Sequence, residues 1–243
     1  MSLPSIAVVI LNWNGSSDLL ACLSSLEKES WQNKEVIVVD NGSSDESCEL
    51  VQKQFPSTTL LALKENLGYA GGNNVGISYA LEKGHDFILI LNNDTLVSAH
   101  FLTQFVSFSR ENPAVGIIGG WPCLMSNPSK LDHLGGKWNP QTALFDFIGK
   151  EEPSHSTIEE EVDYVCGCSI FIKRAVFEKI GLLEPAFFLF WEEADFCMRA
   201  KKSGFKIAFC KKAVLLHKVS SSFTGGKPHT HYFWWRKDRK SVV

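Results

Sequence analysis

The sequence predicts an α/β fold built on a parallel sheet. Three observations predict it: apolar runs of strand length recur, a polar turn follows the C-terminal end of each early one, and helical stretches separate them. Ile6-Ala-Val-Val-Ile-Leu11 is the first fully buried strand. After the polar turn Asn12-Trp13-Asn14-Gly15, Asp18 is placed to cap a helix through Leu19, Leu20, Leu23 and Leu26. Glu35-Val-Ile-Val-Val-Asp40 is the second strand. Asn41 to Asp45 is its turn, and a helical stretch from Leu50 to Phe55 leads to a third strand over Thr59 to Leu63. The glycine-rich segment Asn66 to Asn74 opens onto a helix over Val75 to Glu82, then a strand from Phe87 to Leu91 that ends in Asn92-Asn93-Asp94-Thr95. Residues 121–160 carry Pro122, Pro128, Pro140, Pro153, Gly135-Gly136 and the acidic run Glu159 to Glu161, and read as loops or short strands crossing the sheet. A strand from Val165 to Ile172, a helix over Ala175 to Ile180 closed by Gly181, a helix from Glu192 to Gly204 and a strand from Lys206 to Phe209 complete the chain. Ligands of open α/β sheets bind outside the carboxyl ends of the strands. Three polar clusters therefore converge on one rim: Asn12 to Asn14, Asp40-Asn41, and Asn92 to Asp94.

With 243 residues, 44% of them hydrophobic, the chain can bury the core of one large domain. A formal net charge of −3 removes any overall electrostatic case for nucleic acid, so an anionic ligand must be held locally. Seven cysteines, an odd number without zinc-type spacing, suit reduced thiols in a cytoplasmic protein, and Cys166-Gly-Cys168 reads as buried thiols in an apolar strand rather than as a metal clip. No window reaches about 18 uninterrupted apolar residues, and the N-terminus lacks a signal-peptide pattern. The protein reads as soluble or peripheral.

Several residues can carry chemistry. Gly68, Gly71, Gly72 and Gly76 lack the spacing of a dinucleotide fingerprint, which leaves a turn before a helix or a backbone-lined wall close to a nucleotide. Asp94 with Asn92 is half of a metal-binding carboxylate motif for Mg2+ or Mn2+, with an Asx-turn as the alternative. The aromatic run Phe187 to Trp191 stops abruptly at Glu192-Glu193-Ala194-Asp195, and the helix that follows carries Arg199, Lys201 and Lys202 near its end. That distribution complements the helix dipole, yet carboxylates set against aromatic rings also gain basicity, as a general base requires. His217 ends the run Ala213-Val-Leu-Leu-His217 and is a hydrogen-bonded structural residue unless a metal stands beside it. His229 and His231 belong to a polar stretch, and the tail from Tyr232 to Arg239 mixes aromatic and basic residues as a membrane-interface segment does.

Taken in order, five segments resemble family 2 glycosyltransferases, and within them the rhamnosyltransferase-like branch. They are Val8-Val-Ile-Leu-Asn-Trp-Asn-Gly15, Val38-Val-Asp-Asn-Gly-Ser-Ser-Asp45, Asn66-Leu-Gly-Tyr-Ala-Gly-Gly-Asn-Asn74, Leu91-Asn-Asn-Asp-Thr95, and Phe188 to Arg199 with its Trp-Glu-Glu-Ala-Asp core. The resemblance implies a GT-A fold, a Rossmann-like, mostly parallel sheet with helices on both faces. It would form one domain over residues 1–243, with a donor half over about 1–120 and an acceptor half over about 121–243. It implies that Asn12, Asp40, Asn41, Asn66, Gly72, Asn73, Asn92 and Asp94 bind the nucleotide sugar, Asp40 accepting from the imide N–H of the base. The family's DxD motif falls on Asn92-Asn93-Asp94, so an amide replaces its first carboxylate, and His217 joins Asp94 as ligand to Mg2+ or Mn2+. Asn73 stands where many relatives have an arginine. Glu193 is the implied base, and Trp191, Glu192 and Asp195 lie on the acceptor side. The implied reaction is a single in-line displacement that inverts the anomeric centre. It moves a sugar from a dTDP- or UDP-linked donor, dTDP-rhamnose foremost, to a glycan or lipid-linked glycan in cell-surface polysaccharide synthesis. The implied location is the cytoplasm, on the cytoplasmic face of the membrane if the protein is attached there. The chain stops at Val243, where such relatives continue with further helices, as a truncated protein would. The alternatives are a catalytically inactive nucleotide-sugar-binding protein, favoured by Asn92, and a nucleotidyltransferase, disfavoured because Asn12-Trp13-Asn14-Gly15 contains no basic residue.

Overall fold

The computed structural model describes residues 3–155 and 162–219. The acidic run, His229, His231 and the aromatic-basic tail lie outside the described residues. The first half alternates strand and helix: β1 (Ile6–Asn12), α1 (Ser16–Glu27), β2 (Lys34–Asp40), α2 (Ser47–Gln54), β3 (Thr59–Ala62), α3 (Gly68–Glu82), β4 (Phe87–Asn92), β5 (Thr95–Val97) and α4 (Phe101–Glu111). Then come β6 (Val115–Leu124), β7 (Asn127–Leu131), β8 (Gly135–Asn139), β9 (Leu144–Ile148), β10 (Tyr164–Val165), β11 (Ser169–Lys173), α5 (Arg174–Ile180), α6 (Glu192–Lys202) and β12 (Lys206–His217).

The main sheet is mixed and mostly parallel, in the order β3-β2-β1-β4-β11-β6-β12-β5, with β7 paired to β6. Strands β1, β2, β3, β4, β6 and β12 run one way, and β5, β7 and β11 run against them. Strands β10, β8 and β9 form a separate small sheet. Side chains alternate across each strand, so the near-continuous apolar run of β1 serves two cores. Ile6, Val8 and Ile10 pack with Leu19, Leu23 and Leu26 of α1 and Phe101, Leu102 and Phe105 of α4. Ala7 and Val9 pack with Ala70 and Ile77 of α3, Phe177 of α5 and Phe196 of α6. Helices therefore cover both faces.

Three local readings change. The glycine-rich segment is not a turn before a helix, because α3 begins at Gly68 and takes in most of that segment. A β-carbon on Gly76 would lie 2.5 Å from Val9 Cγ1 and 2.9 Å from Val39 Cγ2, and one on Gly72 would lie 2.4 Å from Leu11 Cδ1. These glycines are helical because their bare backbone lets α3 lie flush on β1 and β2, a tertiary gain that exceeds their poor intrinsic propensity. Asp18 does not cap α1, which starts two residues earlier. The Ser16 amide is satisfied from the β2 turn by Asp45 at 3.1 Å, while Asp18 holds Lys218 at 2.8 Å. The strand expected over Val165 to Ile172 is broken at Cys166-Gly-Cys168, where the chain passes from the small sheet to the main one.

Candidate active site

A cavity of about 500 Å³ opens at the carboxyl ends of β1 and β4. Residues from distant segments line it: Trp13 after β1, Asn41 after β2, Tyr69 in α3, Asn92 to Asp94 after β4, Cys166 to Cys168 before β11, and Phe188 to Glu193 leading into α6. His217, the last residue of β12, completes it. Of the residues singled out from sequence, Asn41, Asn66, Asn92, Asp94, Trp191, Glu192, Glu193 and His217 face this cavity.

The others stand behind its wall. Asn12 is fully buried, donating to Asp40 Oδ2 at 3.1 Å and accepting from Asn93 Nδ2 at 2.8 Å. The second oxygen of Asp40 accepts from the Ser43 amide at 2.9 Å, so its carboxylate ties the two strand-end turns together. Gly72 is the contact of α3 on Leu11 described above, and Asn73 donates to the Tyr69 carbonyl at 2.9 Å, leaving its own buried oxygen unpartnered. Asp195 is not among the residues that line the cavity: Arg199 donates to it at 2.8 Å and to the carbonyls of Ile180 and Leu182, pinning α6 to the end of α5. Asp195 is thus held by an i,i+4 partner on its own helix.

Glu192 and Glu193 owe their placement to backbone strain. Phe190 and Trp191 both adopt left-handed conformations, with φ of 68° and 75°, although neither is glycine. Each such residue costs on the order of 1–3 kcal/mol and persists only where the surroundings hold it. The kink starts α6 with its two glutamates at the cavity wall, where one oxygen of each is buried without a hydrogen-bond partner. Burial pushes the Glu193 carboxyl up to about 7. Burial, together with the charge of Glu193, pushes the Glu192 carboxyl well above its ordinary value.

At the opposite wall His217 lies between two carboxylates, with Nε2 3.3 Å from Asp94 Oδ1 and Nδ1 2.9 Å from Asp132 Oδ2. Burial opposes its charge, but bonding to Asp132 and Asp94 prevails and raises its pKa to about 10. Burial would likewise raise Asp132, yet its bonds to His133 and His217 hold it well below the carboxylate range. Two carboxylates and an imidazole are a donor set for Mn2+ or Mg2+, and all three face the cavity. Asn92 is turned toward another partner, its side-chain oxygen 3.3 Å from the Tyr69 hydroxyl.

Sequence reasoning passed over Asp132, His133 and Tyr69. Asp132-His133 follows β7 in an irregular stretch without periodicity, so nothing local marks it. Tyr69 lies within the glycine-rich segment; its hydroxyl donates to the Gly167 carbonyl at 2.8 Å, joining α3 to the turn after β10. In that turn both thiols are buried, as expected, with the two sulfurs 3.4 Å apart. Their hydrogen bond lowers the pKa of Cys166, and nearby His133 lowers it further.

Comparison with known proteins fits this geometry to a family. The model described as glycosyl transferase family 2 matches residues 7–181. The chain belongs to that family. A low-salt glycan biosynthesis hexosyltransferase, Agl10 of Haloferax volcanii, is 28% identical over 225 residues, covering 88% of this chain and 67% of the relative. An N-acetylglucosaminyl-diphospho-decaprenol L-rhamnosyltransferase of Mycobacterium tuberculosis is 24% identical over 248 residues, covering 92% and 79%. Among solved structures, GalNAc-T7 with UDP, GalNAc and Mn2+ aligns with a TM-score of 0.69 at 16% identity, over 88% of this chain and 44% of the other. The mannosyltransferase PcManGT of Pyrobaculum calidifontis, in complex with GDP-Man and Mn2+, aligns at 0.63 and 14%, over 94% and 59%. The family 2 chain thus spans less than two thirds of these solved proteins, and its fold is the GT-A type. Among its described residues no helix is long and apolar enough to cross a membrane.

Proposed function

We propose that this family 2 transferase is an inverting enzyme whose general base is Glu193. The observation that carries the reading is a buried carboxylate with an unpartnered oxygen and a pKa of about 7, in the same cavity as the pair Asp94 and His217. A base is most effective when its pKa lies near the working pH. In the proposed step Glu193 takes the proton of an acceptor hydroxyl as that oxygen bonds to the anomeric carbon. The bond from that carbon to the diphosphate oxygen breaks with its electron pair on the leaving group, and one displacement inverts the centre. Asp94, His217 and Asp132 would hold Mg2+ or Mn2+, which when bound supplies positive charge against the diphosphate. Asn41 and Asn66 offer polar contacts to the donor, while Asn12 and Asp40 brace their turns.

The donor we propose is a dTDP- or UDP-linked sugar, dTDP-rhamnose first, because the mycobacterial relative is a rhamnosyltransferase. The acceptor is a hydroxyl of a glycan or lipid-linked glycan in cell-surface polysaccharide synthesis. Since a decaprenyl chain partitions into a bilayer, a lipid-linked acceptor places the reaction on the cytoplasmic face of a membrane. Residues 1–120 supply the donor half of one domain and residues 121–243 the acceptor half and the base. Glu193→Gln tests the assignment: kcat should fall about 1,000-fold, while calorimetry finds donor affinity within about threefold. Turnover within tenfold of the unmodified enzyme would remove Glu193 from the role. Donor binding with no transfer by the unmodified chain to any acceptor would instead favour an inactive nucleotide-sugar-binding protein.

A further inference from the structure

Beside the Asp94–His217 pair the cavity contains a second donor cluster of different chemistry. Cys166 Sγ, a ring nitrogen of His133 and a carboxylate oxygen of Asp132 all lie within 4.8 Å of one another. Cys168 Sγ lies 3.4 Å from Cys166 Sγ. All four side chains line the cavity, and they come from two segments, the stretch after β7 and the turn between β10 and β11.

A tetrahedral zinc site has bonds of about 2.3 Å to sulfur and about 2.0–2.2 Å to nitrogen and oxygen. Tetrahedral angles then separate two sulfurs by about 3.8 Å, and a sulfur from a nitrogen by about 3.5 Å. The observed sulfur pair, at 3.4 Å, is within a few tenths of an ångström of that spacing. Soft sulfur donors select thiophilic ions, whereas carboxylate oxygens select Mg2+ and Mn2+. Asp132 links the two clusters, one oxygen 3.3 Å from His133 and the other 2.9 Å from His217.

We propose that Cys166, Cys168, His133 and Asp132 form a site for a thiophilic divalent ion of the Zn2+ class. Binding releases to solvent the protons held by the thiols and the His133 ring nitrogen that ligates, and forms two metal–sulfur bonds without oxidation. The ion would be held on the Cys166-Gly167-Cys168 turn, which lines the same cavity as Glu193. An occupied site therefore obstructs the cavity at the glutamate, and Zn2+ inhibits where Mn2+ does not.

The test uses the whole chain, freed of metal and kept under a phosphine reductant. Titration with Co2+ should give intense near-ultraviolet thiolate-to-metal absorption saturating at one ion per chain and reversed by Zn2+. Cys166→Ser should remove the band and weaken binding at least about 100-fold, while Asp94→Asn retains it. X-ray absorption of the unmodified protein with Zn2+ needs no variant and should give two sulfur neighbours near 2.3 Å. A shell of nitrogen and oxygen alone, a band that survives Cys166→Ser, or one lost in Asp94→Asn would overturn the assignment. None of these readouts requires turnover, so failure of this site and failure of the proposed reaction are separable.

Discussion

As the proposed base, Glu193 should set the pH dependence of transfer. A base must be ionised to act, and burial has raised this carboxyl from the usual 4.5 to about 7. Below the raised value kcat/KM falls tenfold per pH unit, so the ionised fraction drops from roughly 0.9 at pH 8 to roughly 0.01 at pH 5, about a 90-fold loss. A carboxylate with an ordinary pKa would lose only about a quarter of its activity over that range. The assay is initial-rate transfer at subsaturating donor and acceptor, buffered from pH 5 to pH 8 at constant ionic strength. In Glu193→Gln the residual rate should lose this acid limb. A flat profile in the unmodified enzyme, or an unchanged limb in Glu193→Gln, would refute the reasoning. Stability should respond in the opposite sense. The folded-state pKa is the higher one, so the contribution of this group is fully present below about 4.5 and is lost as pH rises through about 7.

Gly76→Ala sets a β-carbon 2.5 Å from Val9 Cγ1, roughly 1 Å inside normal carbon contact. Overpacking of about 1–3 kcal/mol outweighs a helical gain of at most about 1 kcal/mol, so denaturant titration should find a loss of about 1–2 kcal/mol, and a gain would mean that α3 lifts freely. Chelation should abolish transfer and Mn2+ restore it, with Asp94→Asn raising the Mn2+ needed for half-maximal rate about 10- to 100-fold; full activity in excess chelator would sink the metal assignment. Tyr69→Phe removes the donor to the Gly167 carbonyl and should cost about 1 kcal/mol in a thermal or denaturant melt, whereas an unchanged midpoint would show that the bond contributes nothing.

The sequence by itself determined the alternation that makes the parallel part of the sheet. Runs such as Ile6 to Leu11 and Phe87 to Leu91 are apolar at every position, as suits a strand covered on both faces, and the polar residues after them mark the rim where the cavity opens. It also marked Glu192 and Glu193, because carboxylates directly after an aromatic run are conspicuous in one dimension. Only the tertiary structure decided that the glycine-rich segment is helix, since the reason lies in Val9 and Val39 on neighbouring strands. It also decided that Asp40 braces two turns and that Asp195 turns to Arg199. Asp132 and His133 could not be seen beforehand for the same reason. They lie in a stretch without periodicity, and their partners Cys166 and His217 are brought to them by the small sheet and the end of β12. Periodicity records what a residue's own element buries, and the cavity is made of residues whose partners belong to other elements.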